Sequence, residues 1–320
     1  MKRFNFVGLA SSGAIALAAL VGVPQPAQAI VINHIAGAAT AIALGGGFPA
    51  VTEIFLGGSA CSGALISPTT VITAQHCTFG VAPGAVTVNF HHINNDGVPD
   101  ASVGVSAITQ FDATNVLLDG SDVAILTLAA AAPAAITPLQ FLAANPLGVT
   151  ASTVGFGWNG TGDVGHGGTA DGLKWAAQNV IDFYGAAQNP GGVNIGGTAN
   201  IFNTDFDNPT GTTNTLAPGK PSSAVMLANE GTTAPGDSGG PLLVNGLIVG
   251  VLSGGTLATS AYGDISWWTG TLQWQTQIQN LGGVFVTDQQ PPQVPVPSTL
   301  ALILLGIAWL GIARRWRPMR

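Results

Sequence analysis

Three side chains in this sequence could together attack a carbonyl carbon, and each lies in a stretch suited to carry it. Ser238 stands in GDSGGPLLV at 236–244, His76 in TAQHC at 73–77, and Asp122 near the head of SDVAILTL at 121–128. A serine hydroxyl is a poor nucleophile until a neighbouring base takes its proton. Histidine takes and returns a proton near neutral pH. A buried carboxylate on the far ring nitrogen fixes the tautomer and stabilises the imidazolium. Gly236 lets the backbone turn so that its own N–H and that of Ser238 aim at one spot, an oxyanion hole. Gly239 and Gly240 keep side chains clear of a substrate. The chemistry that fits is hydrolysis through an acyl-enzyme. Asp119 is a rival third member, but the apolar run Val123-Ala124-Ile125-Leu126 directly follows Asp122, as a buried strand after the acid requires.

The surrounding residues read as strands. Val71 and Ile72 lead into TAQHC, LLV follows GDSGGP, and VGVLSGG fills 249–255. Apolar residues are mostly Ala, Val, Ile and Leu spread between Gly, Thr, Asn and Pro turns, an all-β pattern. A length of 320 residues is compatible with one β-barrel catalytic unit plus appended ends. With 47% hydrophobic and 7% charged residues the chain could be taken for a membrane protein, but only the two ends carry long apolar runs. The charge is segregated. All fifteen acids lie between the ends, whereas only Lys174 and Lys220 of the eight basic residues do. A phosphate-binding surface needs clustered cations, so nucleic acid is not an expected partner. Cys61 and Cys77 suggest one disulfide in an exported chain, against the alternative of two buried thiols. His34, His91, His92 and His166 lack a catalytic context, and HHINNDGVPD at 91–100 suits a turn better than a calcium loop. No metal or other cofactor is implied.

Residues 1–29 read as a secretory signal peptide: Lys2 and Arg3, a mostly apolar stretch over 6–23, and the small-x-small site Ala27-Gln28-Ala29. Signal peptidase is the expected processing enzyme. At the other end, 286–297 is a Pro-rich linker that should stay extended. The apolar run over 300–313 would span about 21 Å as a helix, short of a bilayer's hydrocarbon core, with Trp309, Trp316 and the arginines placed to seat it. The order VPVPST (294–299), short apolar helix, arginine cluster resembles the PEP-CTERM sorting signal, with Val296, Pro297, Ser298 and Thr299 as the matching box and 298–320 as the sorting segment. That resemblance implies a Gram-negative host, processing by an exosortase-type enzyme, transient anchoring in the inner membrane, and a final place in the cell envelope or extracellular matrix. A plain tail anchor is the alternative.

The central segments resemble the chymotrypsin-like (trypsin-like) serine proteases in type, order and spacing over about residues 30–280. The resemblance implies two six-stranded antiparallel β-barrels, the first over about 30–140 and the second over about 141–285, with the triad between them. It implies a bridge joining Cys61 to Cys77, and a glycine-rich opening of the second barrel in VGFGWNG at 154–160. Ser253 would support the aspartate, and Ser253, Gly254 and Gly255 would pair with substrate backbone. Thr232 would lie at the floor of the primary pocket. With no carboxylate there and an open mouth at Gly255, uncharged substrate side chains are expected. Cleavage after Ala29 would free Ile30-Val31, whose ammonium would pair with Asp237; the alternative is that 30–45 form a short propeptide. Ala234 stands where the family usually has a further cysteine, and Gln75 where it has alanine. The stretch 155–220, rich in Gly, Asn and Thr, reads as enlarged surface loops. The implied function is an exported serine endopeptidase acting on proteins or peptides. The alternatives are a catalytically weak, surface-displayed binding or matrix protein on a protease fold, and an esterase.

Overall fold

The computed structural model describes residues 30–196 and 200–287. Residues 1–29, read above as a signal peptide, residues 288–297 of the Pro-rich stretch and the PEP-CTERM-like segment 298–320 lie outside the described residues.

The first half closes into a six-stranded barrel. Val51–Phe55 pairs with Ala60–Ser67, which pairs with Thr70–Thr73 and then with Ala124–Leu128. Ala101–Gln110 and Thr87–Phe90 complete the ring back to Val51–Phe55. Every ladder is antiparallel, so short turns suffice as connections. Ile54, Leu65, Val71, Val88, Phe90 and Ile125 are fully buried inside it. These are the β-branched and large apolar types that fit a pleated, buried surface.

The second half is also all-β but differs from a closed six-stranded barrel. Its main sheet runs from Trp175–Val180 through Thr150–Gly155, Pro241–Val244, Leu247–Gly255 and Ile265–Gly270 to Ile201–Asp205 and Phe183–Gly185. The sheet curls without a backbone ladder between Trp175–Val180 and Ile201–Asp205. Asn179 bridges that gap instead, its amide donating to Asp205 O at 2.9 Å and Gly231 O at 3.1 Å. A side chain thus substitutes for a strand pairing. The chain's first described strand, Ile30–Ile32, does not join the first barrel. It runs parallel to Asn159–Thr161 and antiparallel to Gly231–Thr232.

The stretch 155–220 is more ordered than a set of surface loops. It contains seven short strands, and Trp175 and Phe202 within it are buried. Glycine and asparagine there serve the turns between strands, as at Gly191 and Gly192 in the hairpin joining Ala187–Asn189 to Val193–Ile195.

Lys174 binds the halves together from the inside. It is completely buried, and its ammonium donates to Phe48 O (2.7 Å), His91 O (3.1 Å) and Val51 O (3.2 Å). Burial pulls its pKa down to about 7. Three carbonyls use all three ammonium hydrogens, so the cation is solvated by backbone.

The second half also buries acids away from that contact. Burial pushes Asp182 up to about 8, opposed by the Ser223 N–H and reinforced by the charge of Asp205. Burial likewise raises Glu230 to about 8 and Asp207 to about 7. A raised carboxyl stabilises the fold fully below the ordinary carboxylate range and loses that contribution as pH climbs through the folded value. The melting temperature is therefore expected to fall between about pH 5 and about pH 9, by roughly 2–4 °C per kcal/mol lost. Asp182→Asn, which stays neutral, should flatten that fall. Parallel melting curves for variant and parent would exclude Asp182 as its source.

Candidate active site

Strand register brings the histidine and the aspartate together. Thr70–Thr73 and Ala124–Leu128 are antiparallel, with Thr73 opposite Ala124. Continuing one strand forward and the other backward therefore sets the turn Gln75–Thr78 beside Ser121 and Asp122. The His76 backbone N–H donates to Asp122 Oδ1 at 2.8 Å, and the ring Nδ1–H donates to Oδ2 at 2.7 Å. Asp122 is 2% exposed. Its carboxylate therefore fixes both the backbone and the ring of His76, leaving Nε2 as the basic nitrogen. Asp119 is occupied elsewhere, accepting the N–H and hydroxyl of Ser121.

The histidine turn is pinned on both flanks. Gln75 donates to Asp112 O and Thr114 O, and its Oε1 accepts the N–H groups of Phe111 and Asp112. The substitution that departs from the family's usual alanine thus ties the turn to the loop leading toward Asp122. On the other flank Cys77 is bonded to Cys61, as expected from the cysteine pair.

The Ser238 loop docks on the first barrel through Ser62. Ser62 N–H donates to Ser238 O at 2.8 Å, and its hydroxyl donates to Gly236 O at 3.1 Å. Gly239 has φ +81, and a Cβ there would fall 2.2 Å from Thr73 Oγ1 and 2.4 Å from Ser62 O, so only glycine allows this approach. Gly236 has φ +99, which turns the chain ahead of the serine. Among the described residues the N–H groups of Gly236 and Ser238 donate to no protein acceptor, as an oxyanion hole requires. Cys77 Sγ lies 3.8 Å from His76 Nε2 and 3.7 Å from Ser238 O, so one sulfur touches both partners. No hydrogen bond joins Ser238 Oγ to His76 Nε2 among the described residues; such catalytic bonds commonly tighten only with substrate in place.

Asp237 faces away from the cleft. Its carboxylate accepts the N–H groups of Gly157 (2.8 Å), Ala234 (2.9 Å) and Ile30, and burial pushes it up to about 7. Ile30 is completely buried.

Beside Ser238 opens a cavity of about 310 Å³, walled by Thr233, Leu252, Gly254, Gly255 and Asp264 among others. Two expectations change here. Thr232 does not line this cavity; its hydroxyl lies behind Asp264, 3.3 Å from the carboxylate. And the cavity does hold an acid, because Asp264 reaches it from another strand. Ser253 also differs: its hydroxyl meets Thr269 Oγ1 at 2.9 Å rather than Asp122. A second cavity, of about 460 Å³, is lined by Gly236, Phe55, Phe156 and Trp158, and shares Pro235 with the first. The only cluster of metal-type ligand atoms among the described residues is Cys61, His76 and Cys77, and both sulfurs are spent in the disulfide.

The sequence model of the family described as Trypsin matches residues 41–271. The chain belongs to the trypsin family. Among curated relatives it is 31% identical to a trypsin of Saccharopolyspora erythraea over 61% of this chain and 75% of that one. It is 26% identical to an uncharacterized peptidase of Corynebacterium glutamicum, over 63% of this chain and 56% of that one. The chain thus spans little more than half the length of the Corynebacterium relative. Solved structures share the trypsin-family fold at 18% identity. Mouse neuropsin, a serine protease, gives a TM-score of 0.50 over 74% of this chain and 96% of its own. A scabies mite inactivated protease paralogue gives 0.51 over 73% and 94%.

Proposed function

We propose that the protein is a serine endopeptidase that cuts peptide bonds through an acyl-enzyme, with Ser238 as nucleophile, His76 as general base and acid, and Asp122 as the group that orients the imidazole. The carrying observation is the doubly bonded pair of His76 and a buried Asp122, contributed by stretches 46 residues apart. Fold likeness alone would not carry it, because an inactivated protease shares this architecture. The free N–H groups of Gly236 and Ser238 supply a place for the developing oxyanion. Two cavities that meet at Pro235, one lined by Ser238 and the other by Gly236, give room for chain before and after the cut, which favours internal cleavage over trimming from an end.

In this reading the enzyme is exported, and signal peptidase cleavage after Ala29 frees Ile30 as an ammonium beside Asp237. The PEP-CTERM-like tail holds it at the inner membrane until an exosortase-type enzyme releases it to the cell envelope or extracellular matrix of a Gram-negative bacterium. These statements on export and sorting rest on the sequence of the two ends.

The test is to incubate the processed protein with fluorescent casein and with a fluorophosphonate probe. Internal casein fragments and labelling at Ser238 are expected. Turnover of esters without peptides would point to an esterase. Absence of both labelling and turnover would point to a binding or matrix protein on a protease scaffold.

A further inference from the structure

We propose that Gln75 is the positioning residue of the His76–Asp122 pair and takes over the support that Asp122 would otherwise draw from Ser253. This deepens the serine-endopeptidase reading and rests on it. Every hydrogen bond that the Asp122 carboxylate accepts among the described residues comes from His76 itself. Two groups that hold only each other can drift together. The Ser253 hydroxyl gives no help, because it is spent on Thr269 Oγ1 at 2.9 Å. A fixed frame for the pair must come from another side chain.

Gln75 is 1% exposed, and one short stretch of backbone fills its whole hydrogen-bonding capacity. Nε2 donates to Thr114 O at 2.8 Å and to Asp112 O at 3.0 Å. Oε1 accepts the N–H groups of Phe111 and Asp112, both at 3.1 Å. That stretch opens the loop between Ala101–Gln110 and Ala124–Leu128, and the loop's return carries Asp122. Departure and return meet, since Gln110 lies opposite Ala124 and the Phe111 N–H is shared between Gln75 Oε1 and Val123 O, at 3.3 Å from the latter. A closed ring therefore runs from Gln75 through Phe111 and Val123 to Asp122, across to His76, and back along the chain to Gln75. The second half steadies the same loop near its return, where Gly120 O accepts Trp274 Nε1–H (2.9 Å) and the Asn200 amide (3.0 Å). Those bonds fix the loop to the other half; Gln75 ties it to the turn that bears the histidine. A buried amide with every donor and acceptor satisfied rigidifies what it joins. Rigidity matters here, because a displacement of about 1 Å at a reacting group costs on the order of 100-fold in rate. An alanine at 75 would reach none of the four backbone groups.

The test compares processed parent enzyme with Gln75→Met, which keeps the bulk and loses the amide. The substrate is a coumarylamide of the residues that precede a cut found in casein, with rates set against fluorophosphonate-titrated sites. Gln75→Met is expected to lower kcat by about 10- to 100-fold while KM stays within about twofold, the signature of a loss felt only in the transition state. The far-downfield proton resonance of the His76 Nδ1–H, assigned by its loss in His76→Ala, should move upfield or broaden. Ser253→Ala is expected to lower kcat less than Gln75→Met does. Should Gln75→Met fail to fold, Gln75→Ala, the residue usual in the family, takes its place. An unmoved resonance, a loss confined to KM, or a larger fall in kcat from Ser253→Ala overturns the role of Gln75 and leaves the peptidase intact. Absence of labelling in the parent overturns the peptidase reading itself.

Discussion

Ser238→Ala is expected to lower peptide turnover by on the order of 10⁶-fold and to abolish fluorophosphonate labelling, with an unchanged melting temperature. The hydroxyl is the only atom removed, and among the described residues it bonds neither His76 nor any other side chain, so the fold has little reason to notice. Chemistry notices because the acyl-enzyme can no longer form. The oxyanion hole and the binding cleft survive, so a residue of about 10³–10⁴-fold over uncatalysed hydrolysis should remain. Adding His76→Ala to this variant should cost little more, since a nucleophile and its base act as a unit. Labelling that persists in Ser238→Ala would place the nucleophile elsewhere and remove the ground for the mechanism.

A chain that carries one extra residue ahead of Ile30 is expected to be about 100- to 1,000-fold less active than one beginning at Ile30. In the extended chain Asp237 receives a neutral amide N–H from Ile30. In the processed chain the same nitrogen is an ammonium, and a charge-assisted bond in a dry site is much stronger than a neutral one. Asp237 precedes the nucleophile directly, and Gly240 N–H donates to its carbonyl at 2.8 Å. Strengthening that anchor therefore bears on how well the N–H groups of Gly236 and Ser238 hold their aim. The comparison is made by preparing both chains from a cleavable fusion and measuring kcat/KM against titrated active sites. Equal rates, or a natural amino terminus well beyond Ile30, would show that insertion at Asp237 does not switch the enzyme on.

The proposed catalytic residues were legible because their chemistry demands uncommon local backbone. GDSGGP announces itself through glycines that a serine elbow requires, and TAQHC through a cysteine and a histidine that meet next to a strand. Asp122 could be preferred over Asp119 because the apolar run behind it had to be a strand, and the pairing of Thr73 with Ala124 is what sets it beside His76. Asp264 was not legible. Its place depends on how Ile265–Gly270 registers against Leu247–Gly255, and no local residue pattern encodes a register across a long hairpin. The signal that could have found it is an acid one residue before an apolar strand that follows the serine's own hairpin. The open second sheet escaped for a similar reason: Asn179 closes it with a side-chain amide, and asparagine in a strand is ordinarily a sign of a turn. The helix Ala38–Gly46 was missed because its residues, AATAIALGG, have weak amphipathic spacing and end in glycines.

The burial of Lys174 bears on how the folded protein fares among other proteases. A protease that cuts after lysine or arginine meets only two such residues between the ends of this chain. One, Lys174, is walled inside the protein with its ammonium spent on three carbonyls. The other, Lys220, is followed by Pro221, whose ring nitrogen has no hydrogen and whose locked φ resists an extended strand in a cleft. The folded body therefore offers a lysine- or arginine-directed protease no easy bond to cut, and should outlast ordinary proteins in a mixture that contains one.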